Sequence, residues 1–145
     1  NAYNVAKVLI AKQEEGIFST SDLMSALMKC APRGKENKFF AKVFQALRIE
    51  VNREMDCLKK MLEQCGRLMV PGARLVVMSY HSLEDRIVKN YMKTGNCEGK
   101  VEKDFYGNVI AEFEQISRKP IMAKDEELER NPRSRSAKLR IAQKK

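Results

Sequence analysis

The chain is poor in residues that bind metals or form disulfide bridges. It has one histidine, His81, and four cysteines, none of them in a C-x-x-C pair, so no zinc-binding spacing occurs. We expect the thiols to be reduced and structural, and no metal to be bound. Tryptophan is absent, and the seven glycines form no G-x-G arrangement. The sequence therefore offers no glycine-rich loop for a phosphate or a cofactor.

Long hydrophobic runs are also missing, and we expect no leader peptide, because the first residues show no charged stretch followed by an apolar one. The longest apolar runs, such as Leu75 to Met78, are far shorter than the roughly 20 residues that cross a bilayer. We therefore expect no membrane partner and a cytoplasmic location. The chain has 145 residues, of which 43% are hydrophobic, and this is enough to bury a domain-sized core.

Basic residues outnumber acidic ones, and this excess is distributed unevenly along the chain. The whole chain carries a formal charge of +9. Residues 118–145 contain ten basic and four acidic side chains, a net charge of +6 within the last fifth of the sequence. This charge favours a polyanionic partner, with nucleic acid as the first candidate, although many basic proteins bind no polyanion.

Apolar periodicity predicts mostly helices in the first half of the chain. Helices are expected over residues 5–13 and from Ser19 to Cys30, where Ser19 and Asp22 have capping-box spacing. The segment Ala31 to Gly34 indicates a linker. Beyond it, apolar residues recur every three or four positions from Phe40 to Cys65, which predicts one long amphipathic helix.

The second half shows strand and helix signals in alternation. The continuous apolar run 75–80 predicts a strand buried on both faces. Ser82 and Asp85 have capping-box spacing again and would open a helix that ends by Gly95. Residues 101–105 and 109–117 flank a Tyr-Gly-Asn turn, which indicates a hairpin.

The end of the chain predicts a short helix and a last strand. The helix is expected over Asp125 to Arg130, before an Asn-Pro pair. From Ala137 to Ala142, apolar residues alternate with Lys138 and Arg140. Such alternation predicts a strand with one wet face, on which the two basic side chains would lie.

Three segments together resemble a known family. They read FQALRIEVNRE at 44–54, SYHSLEDRIVK at 79–89 and NPRSRSAKLR at 131–140. In sequence, order and spacing they resemble the bacterial MraW/RsmH ribosomal RNA methyltransferases, which methylate the exocyclic amine of a decoding-centre cytosine. The chain departs from the usual pattern at Tyr80, where phenylalanine is common, and at Ala73, where a second glycine is common.

The resemblance implies an α/β fold, the C-terminal half of a class I (Rossmann-like) methyltransferase sheet. Residues 75–80 would be its fifth strand and the C-terminal strands its antiparallel sixth and seventh. Residues 3–33 would be the tail of a helical insertion domain, and residues 36–145 the C-terminal part of the methyltransferase domain, with the cofactor-binding first half absent.

The same resemblance implies a cofactor and partners. The cofactor would be S-adenosyl-L-methionine, held mainly by residues upstream of this chain and bound weakly by the chain itself. The substrate would be small-subunit ribosomal RNA or the small ribosomal subunit. Because residues 75–80 would lack a fourth-strand neighbour, we expect the fragment to self-associate.

His81 is the first candidate site residue. It follows the carboxyl end of a predicted buried strand, where open α/β sheets bind ligands. In the intact enzyme it could contact a flipped cytosine or an RNA phosphate; the alternative is that it only packs over the next helix. A nucleophilic triad with Ser82 and Asp85 is disfavoured, because these two residues are already explained as helix caps.

The other candidates would contact RNA. Gln45, Arg48 and Asn52 share one stripe of the predicted long helix and would border the cleft, or else lie on a solvated face. Arg86 lies in the first turn of the helix after His81 and could contact the cleft or solvent. The basic residues of the third segment could meet RNA phosphates or belong to a solvated loop and outer strand; they are Arg133, Arg135, Lys138 and Arg140.

Two functions from different classes follow. The first is methylation of the exocyclic N4 amine of a cytosine in small-subunit ribosomal RNA, carried out by the intact protein, with the fragment inactive. The second is a non-catalytic RNA-binding or ribosome-associating module, which would bind RNA in a salt-dependent way without methyl transfer. A metal-dependent hydrolase built on His81, Glu84 and Asp85 is disfavoured, because a helix turns the two carboxylates to different sides.

Overall fold

The computed structural model describes all residues from Asn1 to Lys145. The chain separates into two compact units, Asn1–Glu54 and Met55–Lys145. The first unit is helical, and the second combines helices with a small antiparallel sheet. The chain is thus an α/β protein. No helix of the structure has both the length and the apolar character needed to cross a bilayer.

The first unit contains α1 (Ala2–Lys12), α2 (Thr20–Leu27) and α3 (Glu36–Val51), with a 3-10 turn at Met28–Cys30. The predicted cap of α2 is confirmed, because the Ser19 hydroxyl accepts a hydrogen bond from the backbone N–H of Asp22 at 3.1 Å. The core of the unit is small. Leu23, Leu27 and Phe40 are its buried members, and partly buried side chains of α1, α2 and α3 pack around them.

The prediction of one long helix from Phe40 to Cys65 is wrong. α3 ends at Val51, and a separate helix, α4, runs over Glu54–Leu68. Between them Arg53 has φ of 52°, a left-handed conformation that interrupts the helical hydrogen bonds. Apolar periodicity continues across the break because it reports only the spacing of side chains along the sequence. A change of φ at one residue does not alter that spacing.

The sheet of the second unit is built around the last strand. β4 (Lys138–Lys144) lies between β1 (Arg74–Ser79) and β2 (Phe113–Gln115), and the two-residue β3 (Ile121–Met122) also pairs with it. All pairings are antiparallel. In the predicted hairpin only one isolated bridge forms, between Lys103 and Val109, because β2 pairs with β4 instead.

The helices of the second unit pack on one face of this sheet. α4 and α5 (Ser82–Thr94) contribute Leu62, Val88 and Met92 to a core that also contains Leu75 of β1 and Phe113 of β2. The prediction that β1 is buried on both faces is wrong, because burial alternates along it and Val76 and Met78 are about half exposed. α6 (Asp125–Arg130) and a 3-10 helix (Pro132–Ser136) lead into β4.

Candidate functional site

His81 caps the helix that follows β1. Its backbone is extended, and its Nδ1 accepts a hydrogen bond from the backbone N–H of Glu84 at 3.4 Å. The prediction that Ser82 and Asp85 cap this helix reciprocally is wrong by one position: Glu84 returns the bond, its Oε2 accepting from the N–H of Tyr80 at 2.9 Å. His81 and Glu84 therefore supply the two capping acceptors, Glu84 binding the residue before the N-cap, and Asp85 is free to point elsewhere.

The remaining nitrogen of His81 is a buried polar atom without a hydrogen bond. With Nδ1 acting as acceptor, the neutral ring carries its proton on Nε2. Nε2 lies 3.2 Å from Glu84 Oε1, but the alignment is not that of a hydrogen bond. The His81 side chain is 14% exposed. An unsatisfied donor just past the carboxyl end of β1 is a group that a substrate acceptor could satisfy after a small side-chain movement.

Asp85 joins α5 to β4 through a buried cluster of charges. Its Oδ1 accepts from Arg140 Nε at 2.6 Å, and its Oδ2 accepts from Arg140 Nη2 at 3.2 Å and from Lys138 Nζ at 3.3 Å. We call Asp85, Lys138 and Arg140 the buried cluster. The Asp85 and Arg140 side chains are 11% and 7% exposed. This two-pronged contact fixes the first turn of α5, and with it the His81 cap, against the sheet.

Opposing influences act on the pKa of Asp85. Burial is the largest single influence and raises the pKa, because desolvation disfavours the carboxylate. The hydrogen bonds and positive charges of Arg140 and Lys138 together outweigh it, so the pKa is lowered from its usual 3.8. The carboxylate is therefore ionised at neutral pH and balances the buried guanidinium.

The orientation of β4 corrects a second expectation. Lys138 and Arg140 were expected on a wet face, but the Arg140 side chain is buried and lies on the side of α5. The apolar Leu139 lines the opposite side of the strand. The reason is that the carboxylate of Asp85 supplies a partner on the α5 side, which makes burial of the guanidinium tolerable. In this structure Arg140 is not exposed to a phosphate.

The predicted polar stripe of the first unit is partly assembled. Arg48 donates from Nε to Glu54 Oε1 at 2.8 Å and from Nη2 to Glu54 Oε2 at 3.2 Å, and Asn52 Nδ2 donates to Glu54 Oε1 at 3.3 Å. We call Arg48, Asn52 and Glu54 the surface cluster. Its arginine side chain is 57% exposed. Gln45 is partly buried on the same helix.

The other predicted contacts are dispersed over the second unit. Arg86, Arg133 and Arg135 are exposed. Sequence reasoning missed the roles of Glu54, Glu84 and Asp85, although each stands in one of the three segments quoted above. A signal was present, since Arg48 and Arg140 both pair with carboxylates that lie within those segments.

The residues of the chain do not fit the cradle of S-adenosyl-L-methionine. β1 is followed by Tyr80 and His81, and no glycine lies at the end of a strand that leads into a helix. Six of the seven glycines instead have positive φ values in turns and helix ends, and Gly66 lies within α4.

The fold and site define an α/β protein with polar groups gathered at the carboxyl end of a sheet strand. The chain belongs to the MraW methylase family, whose family model matches residues 2–145. It is 55% identical over 141 residues to the ribosomal RNA small subunit methyltransferase H of Parabacteroides distasonis, which covers 97% of this chain and 46% of that protein.

Other relatives carry the same name. The protein of Phocaeicola vulgatus is 52% identical over 146 residues, covering 100% of this chain and 48% of the relative. The protein of Amoebophilus asiaticus is 51% identical over 140 residues, covering 96% and 45%. The chain thus spans about half the length of the curated relatives it matches.

Proposed function

We propose that the intact protein transfers a methyl group from S-adenosyl-L-methionine to the exocyclic N4 amine of a cytosine in small-subunit ribosomal RNA. Family membership is the observation that carries this proposal, and the names of the relatives supply the substrate class. The +6 charge of residues 118–145 suits an RNA partner. In this proposal the protein works in the cytoplasm.

The proposal also assigns the fold of the intact protein. The antiparallel sheet would be the C-terminal part of a class I methyltransferase sheet, with residues 3–33 as the tail of an inserted helical domain. The cofactor would be held outside these 145 residues, because their glycines form no cradle for it. His81 would border the target cytosine, and Arg86, Arg133 and Arg135 would meet RNA phosphates. The surface cluster of the first unit would contact the RNA substrate.

His81 is the residue through which we would test this assignment. Its Nε2 lacks a hydrogen bond at the strand end, so it could hold the target nucleotide while the amine is aligned with the methyl donor. Alignment of reacting groups is the contribution that the protein makes to such a transfer, and loss of one positioning bond slows it by about tenfold per 1.4 kcal/mol.

The experiment measures how much methyl group the intact protein transfers to purified small ribosomal subunits that lack the modification. Mass spectrometry of the nucleosides then identifies the product. We expect N4-methylcytosine, and a loss of about tenfold or more in His81→Ala, with the free energy of unfolding lowered only by the lost helix cap, about 1 kcal/mol. Ser82→Ala, in the adjacent exposed position, is the matched control and should keep the wild-type rate. RNA binding without any methyl transfer would instead support the non-catalytic RNA-binding module.

We also propose that the isolated chain self-associates. β1 pairs with β4 only, so its other edge has free backbone donors and acceptors, and Val76 and Met78 beside it are about half exposed. Light scattering at tens of micromolar that finds only a 16.7 kDa species would contradict this.

A further inference from the structure

A pocket of about 390 Å³ lies on the face of the sheet opposite α4 and α5, where α6 and the 3-10 helix that follows it contribute to its lining. We call it the β1–β3 pocket. Met78 and Tyr80 form one wall, Met122 of β3 forms another, and Leu139 of β4 lies between them. The strand register explains this gathering, because both Met78 and Ile121 pair with Leu139. The pocket lies at the carboxyl end of β1, and its Tyr80 directly precedes His81 in the sequence.

The walls of the β1–β3 pocket are unusually apolar for a surface. Tyr80 is 60% exposed, and Met78 and Met122 are 51% and 47% exposed. An aromatic ring and two thioethers therefore face solvent side by side. Such a cluster exposes flat, polarisable surface that a planar ligand would cover.

The rim of the β1–β3 pocket is polar and unpaired. The side chains of Glu127, Asn131 and Arg133 line it, and none forms a hydrogen bond or an ion pair within the chain. The backbone that carries them is nevertheless fixed, since the Ser134 hydroxyl donates to the carbonyl of Asn131 at 2.7 Å. A carboxylate, an amide and a guanidinium are thus held around one apolar floor with their bonding capacity unused.

We propose that the β1–β3 pocket binds one unpaired ribonucleotide of the RNA substrate, with its base on Tyr80 and its phosphate on Arg133. Unpaired RNA bases are recognised by stacking on aromatic side chains and by hydrogen bonds to their edges. The volume falls in the roughly 300–1,000 Å³ range of small-ligand sites. The RNA partner rests on the proposed function, and the +6 charge of residues 118–145 suits it.

The rim also selects among bases. The Glu127 carboxylate accepts hydrogen bonds only, so it favours a base edge that carries an amino group. Cytosine, adenine and guanine have one, and uracil does not. The pocket therefore binds an amino-bearing base that neighbours the position served by His81.

The test uses the 145-residue chain and fluorescein-labelled single-stranded oligoribonucleotides, with binding followed by anisotropy. We expect Tyr80→Leu to weaken binding about tenfold and Tyr80→Phe to keep it, because only the ring is needed for stacking. Arg133→Gln should lower the slope of log affinity against log salt by about one. Oligocytidylate and oligoadenylate should bind more tightly than oligouridylate, and Glu127→Gln should reduce that difference.

Matched controls keep the result specific. Tyr106→Leu removes an 85% exposed tyrosine outside the pocket, and Arg118→Gln removes an exposed arginine from the same basic segment. Circular dichroism should show that all variants are folded. Equal losses in Tyr80→Leu and Tyr106→Leu, or no loss in either, would overturn the proposal. So would a tyrosine-dependent affinity for an acidic peptide in place of RNA.

A second measurement locates the base directly. An oligoribonucleotide containing 5-iodocytidine is irradiated in the complex, and the crosslinked peptide is identified by mass spectrometry. A crosslink at Tyr80 supports the proposal, and crosslinks confined to other regions refute it. If Tyr80→Leu binds RNA normally and the protein still methylates cytosine, the proposal for the pocket is refuted and the proposed function stands. If the pocket binds RNA but the intact protein transfers no methyl group, the proposed function is refuted and the pocket assignment stands.

Discussion

The surface cluster and the buried cluster have nearly the same composition and very different surroundings. In each, one arginine makes a two-pronged contact with one carboxylate, and a further donor joins the same carboxylate. Arg48 is 57% exposed, whereas Arg140 is 7% exposed. Exposed pairs contribute little because water and salt screen them, but a buried charge left without its partner is strongly destabilising. Burial therefore decides what each pair contributes.

The largest expected effect comes from breaking the buried cluster on its acidic side. Asp85→Ala leaves the Arg140 guanidinium buried without compensation, so we expect the free energy of unfolding to fall by about 3–5 kcal/mol. Urea denaturation followed by circular dichroism measures it. The control replaces both partners, Asp85→Leu with Arg140→Met, and should recover much of the loss. A loss below about 1 kcal/mol in the single variant would mean that the pair is solvated.

An intermediate effect concerns pH. Because the pKa of Asp85 is lowered in the folded state from its usual 3.8, its stabilisation is complete above that value and is lost as the pH falls through the folded-state pKa. The difference in unfolding free energy between the wild type and Asp85→Asn should be constant from pH 8 to about 5 and shrink below about 4. Urea titrations across this range test the sign, and a difference that grows on acidification would contradict it.

The smallest expected effect comes from the surface cluster. Arg48→Ala should lower the free energy of unfolding by no more than about 1 kcal/mol, because the guanidinium already contacts water. A double-mutant cycle with Glu54→Gln isolates the pair, and its coupling should weaken with added salt. A coupling of several kcal/mol would show that the exposed pair contributes as much stability as the buried one, which would contradict the expected effect of burial.

Local chemistry predicted several elements correctly. The Ser19 cap, the end of α5 at Gly95 and the short helix Asp125–Arg130 all depend on interactions within a few residues. Gly95 illustrates the reason: it follows the last residue of α5, its φ is 78°, and its backbone N–H donates to the carbonyl oxygen of Tyr91. A position that only glycine fits can be recognised without knowing the tertiary fold.

The candidate site was predicted less well. Placing His81 at the end of β1 followed from the apolar run before it, and the structure confirms that position. The sequence could not show that His81, rather than Ser82, caps the helix, because each of them is followed by an acidic residue three positions later. Spacing alone does not choose between two overlapping boxes.

The sequence by itself determined that residues 138–144 alternate along a strand, and that a carboxylate follows the histidine in the next helix. Only the tertiary structure decided which face of that strand turns inward. A strand offers two faces of opposite character, and a pattern of period two fits either orientation. Asp85, 55 residues before Arg140, settled the choice, because a buried guanidinium is tolerated where a carboxylate from another element neutralises it.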